Sequence, residues 1–173
     1  MIDQCPTVIF VADDVSPTSA SVILQSIPMM LRHVERLQVT VLGVREERLL
    51  LHLRQYAPVV RVQRGADRKE IQALFAAADL TIIPLAWRED LPVVIQDSFQ
   101  VGAPVVGPAI GDFSELIREG ETGYLFPVGD AATLAAKVIL HFSLLADERQ
   151  RMRRRCGEKA QAHAKQARYT NGT

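Results

Sequence analysis

Two carboxylates define the chemistry this chain could carry. Glu89 stands in a polar loop after a short apolar run, and Asp97 follows eight residues later inside a helix that opens near Pro92. At 3.6 residues per turn, Asp97 lies about two turns into that helix, so the pair could reach one elongated ligand. Spacing alone does not single them out, because two acids eight apart arise by chance in most chains of this length. Taken alone they read as a solvated loop acid and a surface residue of an amphipathic helix. Other reactive residues form no constellation. His33, His52, His141 and His163 are scattered, and Cys5 and Cys156 sit near opposite ends without metal-ligand spacing. No metal site is expected, and two free thiols suit a reducing compartment.

The elements that must position these acids alternate along the chain. Thr7 to Val11 is a continuous apolar run that suits a strand covered on both faces, and Ser19 to Leu37 carries helical spacing at Ile23, Ile27, Met30 and Val34. Pro28 is expected to kink or divide that helix, since it removes a backbone bond and crowds the preceding turn. Further strands are expected at 39–42, 59–62, 80–83, 105–106 and 123–126, with helices at 46–56, from Asp67, from Pro92 and from Asp130 to about His141. Asp67 with Glu70 three residues on has the form of a capping box. Pro92 suits a first helical position, where its missing N–H costs nothing. The loop GPAIGD and the Gly120-Glu121-Thr122-Gly123 segment read as turns, and the charged tail from 147 to 166, rich in arginine, reads as a helix with a solvated face. Strand and helix in alternation predict an α/β fold: one Rossmann-like, doubly wound parallel sheet of about six strands in a single domain. Ligands of such sheets bind beyond the carboxyl ends of the strands.

The order A-A-D-x-x-x-x-P from Ala77, E-x7-D at Glu89 and Asp97, G-x-P-V-V at Gly102, and G-E-T-G-x-L-F-x-x-G-D from Gly120 to Asp130 resembles the C-terminal, donor-binding half of the group 1 (family 4) retaining glycosyltransferases of GT-B fold. The resemblance implies that Glu89 meets hydroxyls of a donor hexose and Asp97 the ribose hydroxyls of its nucleotide. A carboxylate suits either task because it can accept hydrogen bonds from two vicinal hydroxyls. Asp97 stands where that family usually has Glu, one methylene longer. The resemblance also implies that backbone N–H groups near Asp90, Leu91, Gly111 and Asp112 face the sugar and phosphates. It implies no cofactor beyond the nucleotide diphosphate sugar, which is the donor substrate. The partners it implies are a separate N-terminal acceptor domain or a second copy, with the tail facing that domain or an anionic membrane surface.

Departures from the family pattern fall on the phosphate side. Where the family has an Arg after the first strand and a Lys a few residues on, this chain has Asp14 and Ser19, and no Lys or Arg precedes Arg32. A unit-charge pair at about 6 Å in an effective dielectric of about 20 is worth roughly 3 kcal/mol, so exchanging attraction for repulsion is a matter of several kcal/mol. Asp90, Leu91 and Pro92 replace family glycines, and Pro92 has no N–H to give. A donor that still binds would then need a cation from another loop, with Arg45, Arg64 and Arg88 as the candidates, and the alternative function is a binding or assembly module without catalysis.

Composition excludes other classes. Twenty basic against twenty acidic residues leave no broad positive field for nucleic acid. No apolar run is long enough to span a bilayer and no signal-peptide pattern opens the chain, so a cytosolic protein, resting at most on the inner membrane face, is expected. Asp13-Asp14 after the first strand resembles the acidic pair of a phospho-accepting receiver domain, but no acceptor Asp ends the third strand. The G-x-G-x-x-G fingerprint of dinucleotide enzymes is absent from the first turn.

Overall fold

The computed structural model describes residues 4–12, 16–84 and 90–170. Glu89, Trp87 and Arg88, together with Asp13 and Asp14, lie outside the described residues. The chain runs β1 (Thr7–Val11), α1 (Pro17–His33), β2 (Gln38–Leu42), α2 (Glu47–Arg54), β3 (Val60–Gln63), α3 (Arg68–Ala77), β4 (Leu80–Ile82), α4 (Leu91–Gln100), β5 (Val105–Pro108), α5 (Gly111–Leu116), β6 (Gly123–Phe126), α6 (Ala131–Ser143) and α7 (Ala146–Thr170). All pairings are parallel and the strand order is β3-β2-β1-β4-β5-β6. The order reverses between β1 and β4, the place where a doubly wound sheet opens its crevice.

Alternation along the strands builds two cores. Val8 and Phe10 of β1 face one cluster with α1, α2 and α6, while Ile9 and Val11 face the other with α3, α4, α5 and α7. A sheet buried on both faces explains why its strands read as continuous apolar runs. The Asp67–Glu70 capping box forms in both directions, and Asp130 caps α6 through Thr133. Those bonds from Thr133 hold the Asp130 carboxyl below its ordinary range.

Two expectations are corrected, and a third is extended. Pro28 lies inside α1 but does not divide it. Ile23, Ile27 and Met30 are fully buried on either side of the proline, so packing against the sheet holds both halves. The GPAIGD segment is not all loop, because its last two residues open α5. Phe113 of that helix sits over Gly107 of β5, where a Cβ would come within 2.2 Å of the ring. The tail is a helix with an exposed face, as expected, and its other face packs against the domain. Its Cys156 and Ala160 are buried, and Arg153 donates to the carbonyls of Ala78 (3.1 Å) and Val101 (3.4 Å), the C-caps of α3 and α4.

Candidate functional site

Asp97 owes its position to the residues beside it on α4. Ile95 and Phe99 are fully buried, and the Ser98 Oγ lies 2.8 Å from Thr81 Oγ1 of β4 and 2.9 Å from the carbonyl of Ala103. These contacts fix the rotation of α4 about its axis. Asp97 is thereby turned toward a cavity of about 230 Å³ lined by Val11, Leu42, Ile71, Phe75, Val93 and Val94, with Arg68, Asp90 and Asp97 as its charged members. Val11 and Leu42 end β1 and β2, so the cavity opens at the carboxyl edge of the sheet, beside the strand-order reversal. Its floor is apolar and its charged groups stand on two helices, α3 and α4.

The Asp97 side chain is 13% exposed and pairs with Arg68, whose Nη2 is 3.3 Å from Oδ1; the Arg68 side chain is 73% exposed. One contact of that length between a largely buried carboxylate and a solvated guanidinium is a weak pair, worth about 0.2–1 kcal/mol. Arg68 was not among the residues the sequence singled out. Its signal was the capping box, which starts α3 at the carboxyl end of β3 and so brings the first-turn side chains to the ligand edge.

The structure separates the remaining predicted site residues. Asp90 is the N-cap of α4 and lines the same cavity. Leu91 is buried in the core, so only its backbone N–H can serve a ligand. Gly111 and Asp112 open α5 beyond β5, away from that cavity. Gly111 has φ +50° and open space where a Cβ would stand, a left-handed position that glycine takes without strain. Among the described residues these places form two groups on one edge, the Asp90–Asp97 cavity and the start of α5.

Ser19, in the first turn of α1, points inward. It is buried, with its Oγ 3.0 Å from Ser16 Oγ and 3.3 Å from the Pro84 carbonyl, which ties the first turn of α1 to the end of β4. Ser16 also caps that turn through the Ser19 N–H. No cation stands at that position.

A larger hollow of about 650 Å³, lined by Pro6, His33, Asp79, Phe142 and Arg149 among others, lies at the opposite edge, where strands begin. Ligands of doubly wound sheets take the carboxyl edge, so the smaller cavity is the candidate. His141 is buried with its Nδ1 3.1 Å from the Tyr124 hydroxyl. Burial pushes its imidazole down to about 4 and the Tyr124 phenol up to about 12, and likewise lifts the buried Cys156 thiol to about 12. All three are structural groups far from the carboxyl edge or sealed in the core. Among the described residues no three His, Cys, Asp or Glu side chains converge as a metal site, and no helix is long and apolar enough to cross a membrane.

Residues 5–143 match the family model of the glycosyl transferases group 1. The chain belongs to this family. It is 28% identical over 120 residues to phosphatidyl-myo-inositol mannosyltransferase of Mycobacterium leprae, covering 69% of this chain and 32% of that protein. It is 34% identical over 100 residues to N-acetyl-alpha-D-glucosaminyl L-malate synthase of Bacillus anthracis, covering 58% of this chain and 25% of that one. The chain thus spans about a third or less of these relatives' length. Among solved structures, S. aureus TarM in complex with fondaparinux, alpha-GlcNAc-glycerol and UDP superposes with a TM-score of 0.78 at 12% identity, over 92% of this chain and 32% of that one. The glycosyltransferase fold is therefore shared well beyond the range of close sequence identity.

Proposed function

We propose that this group 1 glycosyltransferase chain is the donor-binding domain of a retaining enzyme. It would move a hexose from a nucleoside diphosphate sugar to a glycan or lipid-linked acceptor held by a separate domain. The observation that carries this reading is the cavity at the carboxyl edge, with an apolar floor and Asp97 at its side. At about 230 Å³ it is smaller than the roughly 300–1,000 Å³ of sites that enclose a whole small ligand, so it suits one part of the donor, the nucleoside. The base would lie on Val11, Leu42 and Phe75, and the ribose diol would donate to the Asp97 carboxylate. Two hydroxyls offer it better geometry than the single long contact from Arg68.

The sugar and phosphates would extend along the strand ends, toward the backbone N–H groups of Asp90, Leu91, Gly111 and Asp112; the task of orienting the hexose would fall to Glu89, which lies outside the described residues. TarM, a protein of the same fold, is in complex with UDP, which supports a nucleotide as ligand. A lipid-linked acceptor, as the name of the Mycobacterium leprae relative suggests, would bring the complete enzyme to the inner face of a membrane.

Calorimetric titration of the chain with UDP, GDP and ADP tests the reading. Binding of one of them is expected, and Asp97→Ala should weaken it by about tenfold, the worth of a hydrogen-bonded charged partner. If none binds, the cavity is not a nucleotide site and the chain is a binding or assembly module, the reading favoured by the inward turn of Ser19.

A further inference from the structure

We infer that Arg68 is the cation of this donor site, taking phosphate charge, and that it is released for this by the ribose displacing it from Asp97. The inference rests on the nucleotide reading above and extends it to a residue and to a ligand class: nucleoside phosphates in preference to neutral nucleosides.

Four observations converge on Arg68. The chain has no Lys or Arg before residue 32, and Ser19, in the first turn of α1, is buried and bonded to the Pro84 carbonyl. Among the described residues lining the cavity, Arg68 alone is cationic. Its guanidinium is 73% exposed and bonded to Asp97 over 3.3 Å through one nitrogen, so most of its donors are open to solvent. Finally, it opens α3, where the helix dipole disfavours a cation. A basic residue there gains nothing for the helix, whereas the same dipole would add to its attraction for an anion.

The charge balance explains the coupling. Asp90, Asp97 and Arg68 leave the cavity mouth with a surplus of one negative charge while Arg68 is held by Asp97. A diol that donates both hydroxyls to Asp97 satisfies the carboxylate without a cation. Arg68 is then freed to swing to a phosphate, where its planar fork can bond two oxygens at once. A neutral nucleoside would displace the arginine but give it no new partner.

The test compares UDP, GDP and ADP, each beside its nucleoside, on wild type, Arg68→Ala, Arg68→Lys and Asp97→Ala, at low and high salt. Arg68→Ala should weaken diphosphate binding by about tenfold or more, the loss of a charge-assisted contact. It should leave nucleoside binding unchanged or up to about fivefold tighter, since the competing ion pair is gone. Arg68→Lys should restore part of the diphosphate affinity, and the salt dependence seen in wild type should flatten in Arg68→Ala. If Arg68→Ala tightens diphosphate and nucleoside alike, Arg68 is only a latch on Asp97 and the inference is wrong. If it changes neither while Asp97→Ala still weakens both, the nucleotide reading stands and the inference falls. If wild type binds no diphosphate, both fall together.

Discussion

At the scale of single residues, the clearest consequence of burial is at His141. Its ring is enclosed by Tyr124 and Phe142, both edge-on, and its protonated form is opposed first by desolvation and then by the nearby charges of Arg149 and Arg153. In the unfolded chain the imidazole takes a proton near 6.5, whereas in the native protein it does so only near 4. Above 6.5 both states are neutral at this group and stability is unaffected. As pH falls below 6.5 the unfolded state gains protons that the native state refuses, so stability declines until about pH 4, by a total on the order of 3 kcal/mol. Chemical denaturation at pH 7, 6, 5 and 4 should show this decline in wild type. His141→Gln keeps an acceptor for the Tyr124 hydroxyl without a titrating ring, and its decline over the same interval should be shallower. Equal slopes in the two proteins would show that His141 is not the source. Its pairing with Tyr124 of β6 joins residues from two elements and had no signature in spacing.

At the scale of elements, α7 is the one whose role changed most between sequence and structure. Arg153 supplies hydrogen bonds to the open carbonyl ends of α3 and α4, and Arg149 does the same for α6 through the carbonyls of Phe142 (3.3 Å) and Leu144 (3.0 Å). Cations at helix C-termini are favoured by the macrodipole as well as by the bonds themselves. The tail is thus a clamp across both layers of the domain. Arg153→Ala should destabilise the fold by roughly 1–3 kcal/mol, because buried carbonyls lose their donors. Arg154→Ala and Arg155→Ala, both exposed, should cost less than about 0.5 kcal/mol. Thermal or urea unfolding of the three variants distinguishes the clamp from a solvated helix, which would make all three equal. A run of arginines has one composition whether it faces water or caps three helices, so this was illegible from sequence. The strands, by contrast, were legible to within a residue or two at most ends. Their continuous apolar runs have one physical explanation, a sheet covered on both faces. The first helical turn of α5 was hidden because glycine and proline dominate its approach, and its packing of Phe113 over Gly107 is a tertiary fact.

At the scale of the whole molecule, the carboxyl edge of the sheet would be one wall of a cleft on the proposed reading. Val93, Ile110 and Val128 are 55%, 40% and 48% exposed, and they follow the ends of β4, β5 and β6 on the edge that carries the candidate site. Scattered apolar residues on a surface are ordinary, but three on the functional edge are where a second wall would be expected. The sequence pointed to the carboxyl edge and to Asp97 through the spacing of its loops and the E-x7-D pattern, and the structure places Asp97 beside a cavity on that edge. It did not show that the Asp97 carboxylate is already occupied by Arg68, because that contact bridges α3 and α4 across 29 positions. A donor in the 230 Å³ cavity would be gripped at its nucleoside end, with the reacting hexose left over the open rim. On the proposed reading water would reach the sugar there, and the acceptor hydroxyl would be aligned with it by a separate domain. Orientation of the two reactants accounts for a large share of catalysis, on the order of 7–11 kcal/mol in well-aligned cases, so its absence should abolish useful rates. The purified chain should therefore bind a nucleoside diphosphate yet show neither sugar transfer nor donor hydrolysis above background when supplied with UDP-, GDP- or ADP-hexoses. Steady turnover by the chain alone would mean that the whole catalytic apparatus lies within one wall of the cleft.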